Sequence, residues 1–124
     1  MDANEQLVRD FCKAFSRRDL DEILGYFTDD AVYHNIPMTA ATGKDEIRAV
    51  LEMFVPDSPE IEFSMLNVAA SGSVVFTERV DRMSIGGNRV AVPVAGVFEV
   101  RDGKIAAWRD YFDMQQFLSG ADQS

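Results

Sequence analysis

Two segments of the sequence place charged side chains on strand faces that are otherwise apolar. The first segment, Thr77–Met83, carries Arg79 and Asp81, and the second, Ala107–Asp113, carries Asp110. Because a β-strand alternates its faces with period two, residues two and four positions away share a face. These face neighbours are Val75, Thr77 and Met83 for Arg79 and Asp81, and Ala106, Trp108 and Phe112 for Asp110. Charged groups are rarely buried without partners, so two carboxylates and a guanidinium lining one apolar cavity would suit acid–base catalysis.

The sequence also permits a simpler interpretation of these charges. An exposed salt bridge between Arg79 and Asp81 on an edge strand would show the same spacing, and an isolated aspartate such as Asp110 near a strand end usually lies at the surface. Their apolar face neighbours favour a pocket. Glu78 and Arg82, on the opposite face, already supply a side for contact with water.

Tyr33 and Asn35 form a second pair with shared orientation, at the end of a short predicted strand from Ala31 to Asn35. A phenol donates a hydrogen bond, and an amide both donates and accepts. With a carboxylate, the two side chains could hold one water molecule. From spacing alone, a buried tyrosine and a turn-forming asparagine before Pro37 are the simpler explanation.

Other kinds of catalytic site find little support. His34 is the only histidine, and no second His or Cys stands at ligand spacing, so we predict no metal site. The sequence contains no Gly-x-Ser-x-Gly elbow, phosphate-binding loop or dinucleotide fingerprint. Gly86-Gly87 is predicted to form a hairpin turn, and Cys12 to be part of the core or of a pocket wall.

The composition predicts one globular domain over residues 1–124, with 47% hydrophobic residues and a single cysteine. A net charge of −9 argues against nucleic acid and anionic membranes as partners. No apolar run approaches the roughly 20 residues that span a bilayer. The lone cysteine and the lack of a secretory pattern at the N-terminus lead us to expect a cytoplasmic protein.

The order of the predicted elements indicates an α+β fold. Helices are predicted first, over 3–17, from Asp19 through Phe27, and from Thr42 through Phe54. Four strands follow, over Ile61–Ala70, Ser73–Ile85, Arg89–Arg101 and Lys104–Phe112, and turn residues separate them. We expect a cone-like, curved mixed sheet with about three N-terminal helices on its concave face, and a loose tail at 120–124.

The chain resembles the limonene-1,2-epoxide hydrolase family. The likeness runs from the first helix to Phe117, and it is carried by Tyr33-x-Asn35-x-Pro37, by Arg79-x-Asp81, and by Gly103-Lys104-Ile105 leading to Trp108-Arg109-Asp110-Tyr111-Phe112-Asp113. The combination is fairly specific. The same cone-shaped fold also occurs in nuclear transport factor two, ketosteroid isomerase and small polyketide cyclases, so the fold alone implies little about function.

The resemblance implies one-step hydrolysis of an epoxide by an Asp–Arg–Asp triad, with no cofactor and no covalent intermediate. It implies that Asp110 is the general base that deprotonates a water held by Tyr33 and Asn35. Asp81 is then the general acid for the epoxide oxygen, and Arg79 joins the two carboxylates.

The resemblance also implies a small apolar substrate. The positions that match the family's pocket wall are Met83, Val92, Val94 and Phe112. Their size predicts a wide cavity for a cyclic or otherwise apolar epoxide, with a vicinal diol as product. The family further implies a homodimer that pairs through the open face of the sheet.

Two alternatives remain open on the sequence. An isomerase or cyclase of the same fold would use Asp110 or Asp81 as a base beside a carbonyl and would need an oxyanion donor, for which Tyr33 is the obvious candidate. A non-catalytic module that holds an apolar ligand would have no need of a buried Arg79 between two acids.

Overall fold

The structure, a computed structural model, describes residues 2–119, so the tail predicted at 120–124 lies outside the described residues. In chain order its helices are α1 (Ala3–Ala14), a short 3-10 helix (Phe15–Arg17), α2 (Leu20–Leu24), α3 (Gly43–Leu51) and α4 (Met114–Ser119). Its strands are β1 (Phe27–Asn35), β2 (Ala41–Thr42), β3 (Glu62–Ser71), β4 (Val74–Ile85), β5 (Asn88–Arg101) and β6 (Lys104–Tyr111).

All six described strands form one curved sheet in the order β2-β1-β6-β5-β4-β3. Strands β3 to β6 are a meander of antiparallel neighbours, whereas β1 pairs with β6 in parallel. The parallel pair places the end of β1 beside the end of β6. The predicted α+β fold with a curved mixed sheet and helices before the meander is confirmed.

Helix α1 covers the inner face of the sheet. It begins where the Asp2 side chain accepts hydrogen bonds from the backbone N–H groups of Asn4 and Glu5, which would otherwise lack partners in the first turn. Its buried stripe packs on the sheet through Phe11, whose ring meets Trp108 of β6 edge-on at 5.0 Å between centroids. Through this contact the helix packs against the strand that carries Asp110.

Aromatic side chains dominate that core. Phe11, Phe15, Phe27, Phe98 and Trp108 are all fully buried and lie within ring-contact distance of at least one other member. Large rings bury much apolar surface for each ordered side chain, which stabilises a domain of this size.

Several predicted boundaries were wrong. Helix α2 ends at Leu24, and Phe27 already belongs to β1, so Thr28-Asp29-Asp30 lie within a strand. The register of β1 against β6 shifts between Phe27 and Val32, and within this irregular stretch Asp29 and Asp30 are exposed on a strand whose other residues are buried or half-buried.

Other differences concern short elements and helix ends. The first helix becomes a 3-10 turn after Ala14, and α3 ends at Leu51 before a series of turns. Strand β2 and helix α4 were not predicted. Both are too short to give a periodic pattern, and α4 makes a fourth helix beside the three expected ones.

Within residues 2–119, no helix has the length and apolar character needed to cross a bilayer.

Candidate active site

The register of the sheet brings the predicted polar residues into one row. Asn35 of β1 pairs with Asp110 of β6, Asp110 pairs with Gly96 of β5, and Gly96 pairs with Thr77 of β4. Cross-strand partners point to the same face of a sheet. Their side chains therefore project together into the concave side, with Arg79 next along β4 beyond Thr77.

Arg79 joins the two carboxylates. Its Nε donates to Asp81 Oδ1 at 3.0 Å and its Nη2 donates to Asp81 Oδ2 at 2.8 Å, which makes a bidentate pair. The same Nη2 donates to Asp110 Oδ2 at 2.8 Å. One guanidinium thus holds an acid from its own strand and an acid from β6, two strands away.

All three charged groups are inside the protein. Arg79 is fully buried, and Asp81 and Asp110 are each 3% exposed. The surface salt bridge that the sequence also permitted is therefore absent at these residues. Two carboxylates around one guanidinium leave a net negative charge in an apolar surrounding, which is costly unless the charges are paired or partly neutralised by a proton.

Two further side chains complete the hydrogen bonding. The indole Nε1 of Trp108 donates to Asp110 Oδ1 at 2.6 Å, and Arg79 Nη1 donates to Thr77 Oγ1 at 3.0 Å. The sequence marked Trp108 and Thr77 only as face neighbours. Their spacing of two residues from Asp110 and Arg79 was the available signal, but which polar atoms meet depends on the packing.

The environment of Asp81 gives its carboxyl group a pKa different from that of an ordinary aspartate. Burial raises the pKa of Asp81 to about 6, because Arg79 opposes this effect only in part and the Asp110 charge adds to it. Burial by itself lowers the pKa of Arg79, but attraction to Asp110 and Asp81 outweighs burial and places it well above the usual value. The site therefore keeps a permanent cation beside a carboxyl group that can carry a proton near neutral pH.

Tyr33 and Asn35 lie against the same site. The Tyr33 hydroxyl donates to Asn35 Oδ1 at 3.2 Å, and the Tyr33 ring stacks on Trp108 at 4.0 Å between centroids. Burial, with the Asp110 charge, raises the pKa of the Tyr33 phenol, so it stays protonated. Because Asn35 uses its amide oxygen to accept from Tyr33, its amide nitrogen remains available as a donor, and Asn35 is the cross-strand partner of Asp110.

An apolar cavity of about 380 Å³ opens onto these groups. Asp81, Asp110, Tyr33 and Asn35 line it, as do the four residues predicted for its wall, Met83, Val92, Val94 and Phe112. The sequence did not indicate the remaining wall residues, which come from loops and helices as well as strands: Met38, Thr39, Val50, Met53, Phe54, Phe63, Ile85, Met114, Phe117 and Leu118. Such residues are scattered along the chain and give no shared pattern.

His34 and Cys12 do not line the apolar cavity. His34 Nε2 is 2.9 Å from the backbone oxygen of Met38, so the histidine holds the loop after β1. Burial raises the pKa of the Cys12 thiol to about 12, which makes the reactive thiolate scarce. Among residues 2–119, no three His, Cys, Asp or Glu side chains converge as a metal site requires.

The arrangement is suited to moving two protons at once. A carboxylate that accepts hydrogen bonds on both oxygens still has lone pairs for a water molecule, and a second carboxyl with a raised pKa can supply a proton. Both face one cavity with mostly apolar walls, where electrostatic interactions are stronger than in bulk water.

Comparison with known proteins shows the family to which the chain belongs. Residues 2–123 match the model of the limonene-1,2-epoxide hydrolase catalytic domain. Epoxide hydrolase EphG of Mycobacterium tuberculosis is 35% identical over 113 residues, which cover 91% of this chain and 75% of that protein.

Solved structures show the same fold. An M. tuberculosis epoxide hydrolase of the limonene-epoxide-hydrolase-like type superposes with a TM-score of 0.80 at 33% identity, over 96% of this chain and 89% of that chain. A putative SnoaL-like polyketide cyclase from Shewanella putrefaciens superposes with a TM-score of 0.84, but at 18% identity over 96% and 95% of the two chains it shows the fold alone. The family model and the EphG identity, each spanning most of the sequence, establish that this chain belongs to the limonene-1,2-epoxide hydrolase family.

Proposed function

We propose that the protein hydrolyses a cyclic or otherwise apolar epoxide to a vicinal diol in one step, without a cofactor. The observation that carries this proposal is the Arg79 guanidinium, which is hydrogen-bonded to two buried carboxylates that both face an apolar cavity. Epoxide opening needs a nucleophile at carbon and a proton at oxygen together, and ring strain already favours the reaction. Two carboxyl groups in opposite protonation states meet both needs.

In the proposed step, Asp110 accepts a proton from a water molecule while the water oxygen forms a bond to an epoxide carbon. The bond from that carbon to the epoxide oxygen breaks, and its electron pair stays on oxygen. Asp81 delivers its proton to this oxygen. One water is consumed, and the proton gained by Asp110 must return to Asp81 before the next turnover.

The surroundings of Asp81 and Asp110 indicate which carboxyl group is the acid and which is the base. The pKa of Asp81 is raised to about 6, so a substantial fraction of Asp81 is protonated near neutral pH, as a general acid requires. Asp110 lies beside Asn35, whose amide nitrogen is free of the Tyr33 contact and can hold a water. The positive charge of Arg79 keeps at least one of the two carboxyl groups ionised.

The cavity supports an apolar substrate. Most of its wall is aliphatic, aromatic or methionine, and its polar side chains are those of Tyr33, Asn35, Thr39, Asp81 and Asp110. Methionine side chains adapt to differently shaped ligands, and four of them line this cavity: Met38, Met53, Met83 and Met114. We therefore place the epoxide at the carboxylates and the hydrocarbon skeleton against the methionines.

The proposal is tested by a single turnover in ¹⁸O-water with enzyme in excess over an apolar epoxide such as a cyclic terpene oxide. We expect a diol that carries one ¹⁸O atom and an unlabelled enzyme, because water itself attacks carbon. If Asp110 attacked instead, an ester would form, and the first diol would contain an oxygen from the protein. Mass spectrometry of the diol and of the Asp110 peptide separates the two routes.

A control reaction addresses the isomerase alternative. The same protein is incubated with a steroid enone, and movement of the double bond is followed by absorbance. We expect no turnover, since the hydroxyl of Tyr33, the candidate oxyanion donor, already donates to Asn35 Oδ1. Rapid isomerisation without diol formation from any epoxide in a chemically varied panel would contradict the proposed function.

A second prediction concerns pH. Because Asp81 must be protonated and its pKa is about 6, we expect kcat/KM to fall about tenfold for each pH unit above this value. The sign follows from the acid role: raising the pH removes the proton that is needed. Tyr33→Phe is the matched control, because it removes a hydroxyl that keeps its proton throughout and should lower the rate without moving the midpoint. A profile that stays flat from pH 6 to pH 9 would exclude Asp81 as the acid.

We also propose that two copies pair through the outer face of the sheet. This face carries Ala91, Pro93, Ala95 and Val97 of β5, and the large side chains of Phe76 and Tyr111 are 47% and 45% exposed beside it. Charged side chains such as Glu78 and Arg82 lie around these residues on the same face, and exposed apolar side chains rimmed by polar ones mark interaction sites. The cytoplasmic location and the lack of nucleic-acid and membrane partners stay predictions.

A further inference from the structure

The Arg79 side chain takes an unusual path across the sheet. It starts on β4, yet it binds Asp110 on β6, and β5 lies between these strands. Neighbouring strands are about 4.8 Å apart, so the two strands that it joins are separated by roughly twice that distance. The guanidinium must therefore lie over the backbone of β5.

Gly96 occupies the point of β5 that the guanidinium crosses. It is the cross-strand partner of both Thr77 and Asp110. A Cβ atom built on Gly96 would lie 2.8 Å from Asp110 Oδ1 and 2.8 Å from Thr77 Oγ1, and closer still to Arg79 Nη1. Real Cβ atoms essentially never approach other heavy atoms within 3.0 Å.

None of these three neighbours can retreat without losing a contact. Thr77 Oγ1 accepts from Arg79 Nη1 at 3.0 Å, and Asp110 Oδ1 accepts from Trp108 Nε1 at 2.6 Å. Gly96 has no left-handed backbone angle, unlike the hairpin glycines Gly72 and Gly103. It is needed for space rather than for conformation, as expected where another group approaches a strand closely.

We propose that Gly96 and Thr77 are positioning residues for the catalytic triad. Gly96 leaves the gap through which the Arg79 guanidinium reaches Asp110, and the Thr77 hydroxyl fixes the guanidinium nitrogen that binds neither acid. This inference rests on the proposed function, in which Arg79 holds both acids in place.

The proposal predicts a specific kinetic signature. Within the described part of the chain, the cavity wall includes neither Gly96 nor Thr77, so a change at either should leave substrate binding nearly intact. It should instead alter the geometry of the reacting groups. Displacing a catalytic group by about 1 Å can cost about 100-fold in rate.

We therefore expect Gly96→Ala to lower kcat at least about 100-fold, with KM changed less than about threefold. Circular dichroism and thermal unfolding show whether the variant is folded. A fully active Gly96→Ala enzyme would overturn the proposal. So would a folded variant with KM greatly raised at unchanged kcat, since that would place the residue in substrate binding.

The Thr77 variants provide a test that does not depend on Gly96→Ala folding. Thr77→Val keeps the shape but removes the hydroxyl, and we expect kcat to fall about tenfold because a buried charged donor loses its partner. Thr77→Ser keeps the hydroxyl and should stay within about twofold of wild type by the same reasoning. Equal losses of kcat in the two variants would show that Thr77 acts through packing and not through its hydroxyl group, which would overturn its positioning role.

A double-mutant cycle with Arg79→Lys links Gly96 to the guanidinium. Lysine lacks the nitrogen that Gly96→Ala would displace, so the alanine should add less than about threefold to the loss caused by Arg79→Lys alone. Full additivity of the two losses would overturn the proposed contact.

A direct titration separates this inference from the proposed reaction. The ¹³C-labelled carboxyl of Asp81 is followed by NMR in the absence of substrate. We expect its midpoint, about 6 in the wild type, to rise in Gly96→Ala, because a displaced Arg79 holds it down less. If the wild type forms no diol but this shift occurs, the proposed function fails and the positioning role stands. If diol forms and the midpoint does not move, the positioning role is wrong.

Discussion

Asp110→Asn and Asp81→Asn are each expected to lower the rate of diol formation at least about 100-fold, the usual contribution of a positioned proton acceptor or donor. An asparagine at position 110 cannot deprotonate water, and an asparagine at position 81 cannot release a proton to the epoxide oxygen. The reaction needs both transfers in one step, so neither acid can compensate for the other. Initial rates on the best epoxide of a panel measure the effect.

Hydrogen bonding makes the asparagine substitutions more disruptive than their shape suggests. Both oxygens of Asp110 accept, one from Trp108 and one from Arg79, and both oxygens of Asp81 accept from Arg79. An amide has only one acceptor oxygen, so its NH₂ group would face a donor. We therefore expect a loss of stability beside the loss of rate, and urea unfolding must accompany each assay.

Asp102→Asn is the matched control for these variants. Asp102 lies in the exposed turn between β5 and β6 with a φ of 53°, a conformation that asparagine adopts readily. It loses the same charge by the same chemical change, and its activity should stay within about twofold of wild type, as for other surface substitutions. Retention of more than about a tenth of wild-type activity by a folded Asp110 or Asp81 variant would refute the role given to that residue.

The charged residues of the site were predictable because strand alternation is a local property. The period of two follows from backbone geometry, so Arg79 and Asp81 had to share a face once β4 was identified. Their apolar face neighbours then pointed to the interior. The assignment of Tyr33 and Asn35 to the site depended on the family resemblance, since their spacing alone favoured ordinary structural roles.

Contacts between strands were not predictable in the same way. The hydrogen bond from Trp108 to Asp110 and the position of Gly96 below Arg79 depend on the register of β4, β5 and β6. A slip of one residue would turn Gly96 to the other face. The one available signal was a glycine within the valine-rich strand β5, which often marks a close approach by another group.

The wrong boundaries have a similar cause. The sequence Thr28-Asp29-Asp30 is typical of a break between elements, but pairing of β1 with β6 holds it in a strand with an irregular register. Tertiary contacts outweigh local preference there. Helix α4 supplies Met114, Phe117 and Leu118 to the cavity, and it is too short for its periodicity to be recognised.

Arg79→Ala is expected to reduce both activity and stability by large amounts. The substitution leaves two carboxylates close together in an apolar site, and removing one partner of a buried ion pair costs about 3–5 kcal/mol of unfolding free energy. A carboxyl group that loses its cation binds a proton more readily in the folded state. The loss should therefore be largest at alkaline pH and shrink as pH falls, which urea unfolding at several pH values measures.

Arg82→Ala is the control from the same strand. Arg82 lies on the opposite face, where its Nη1 is 3.5 Å from Glu62 Oε1 and both side chains are partly exposed. Exposed ion pairs contribute about 0–1 kcal/mol, so the free energy of unfolding should change by no more than that. Equal destabilisation by the two alanine substitutions would show that the loss of stability in Arg79→Ala does not arise from the burial of Arg79.

A triple apolar variant decides whether the triad is present for stability or for chemistry. Arg79→Met, Asp81→Leu and Asp110→Leu together remove every charge of the site and leave none unpaired. Replacing a whole buried ion-pair network by apolar side chains is often neutral or stabilising by about 1–4 kcal/mol. We expect the triple variant to be at least as stable as wild type in urea and to form no diol. A fold that is no less stable without these charges has no structural need of them, so their presence would then be explained by catalysis, whereas a triple variant clearly less stable than wild type would assign the triad to the fold.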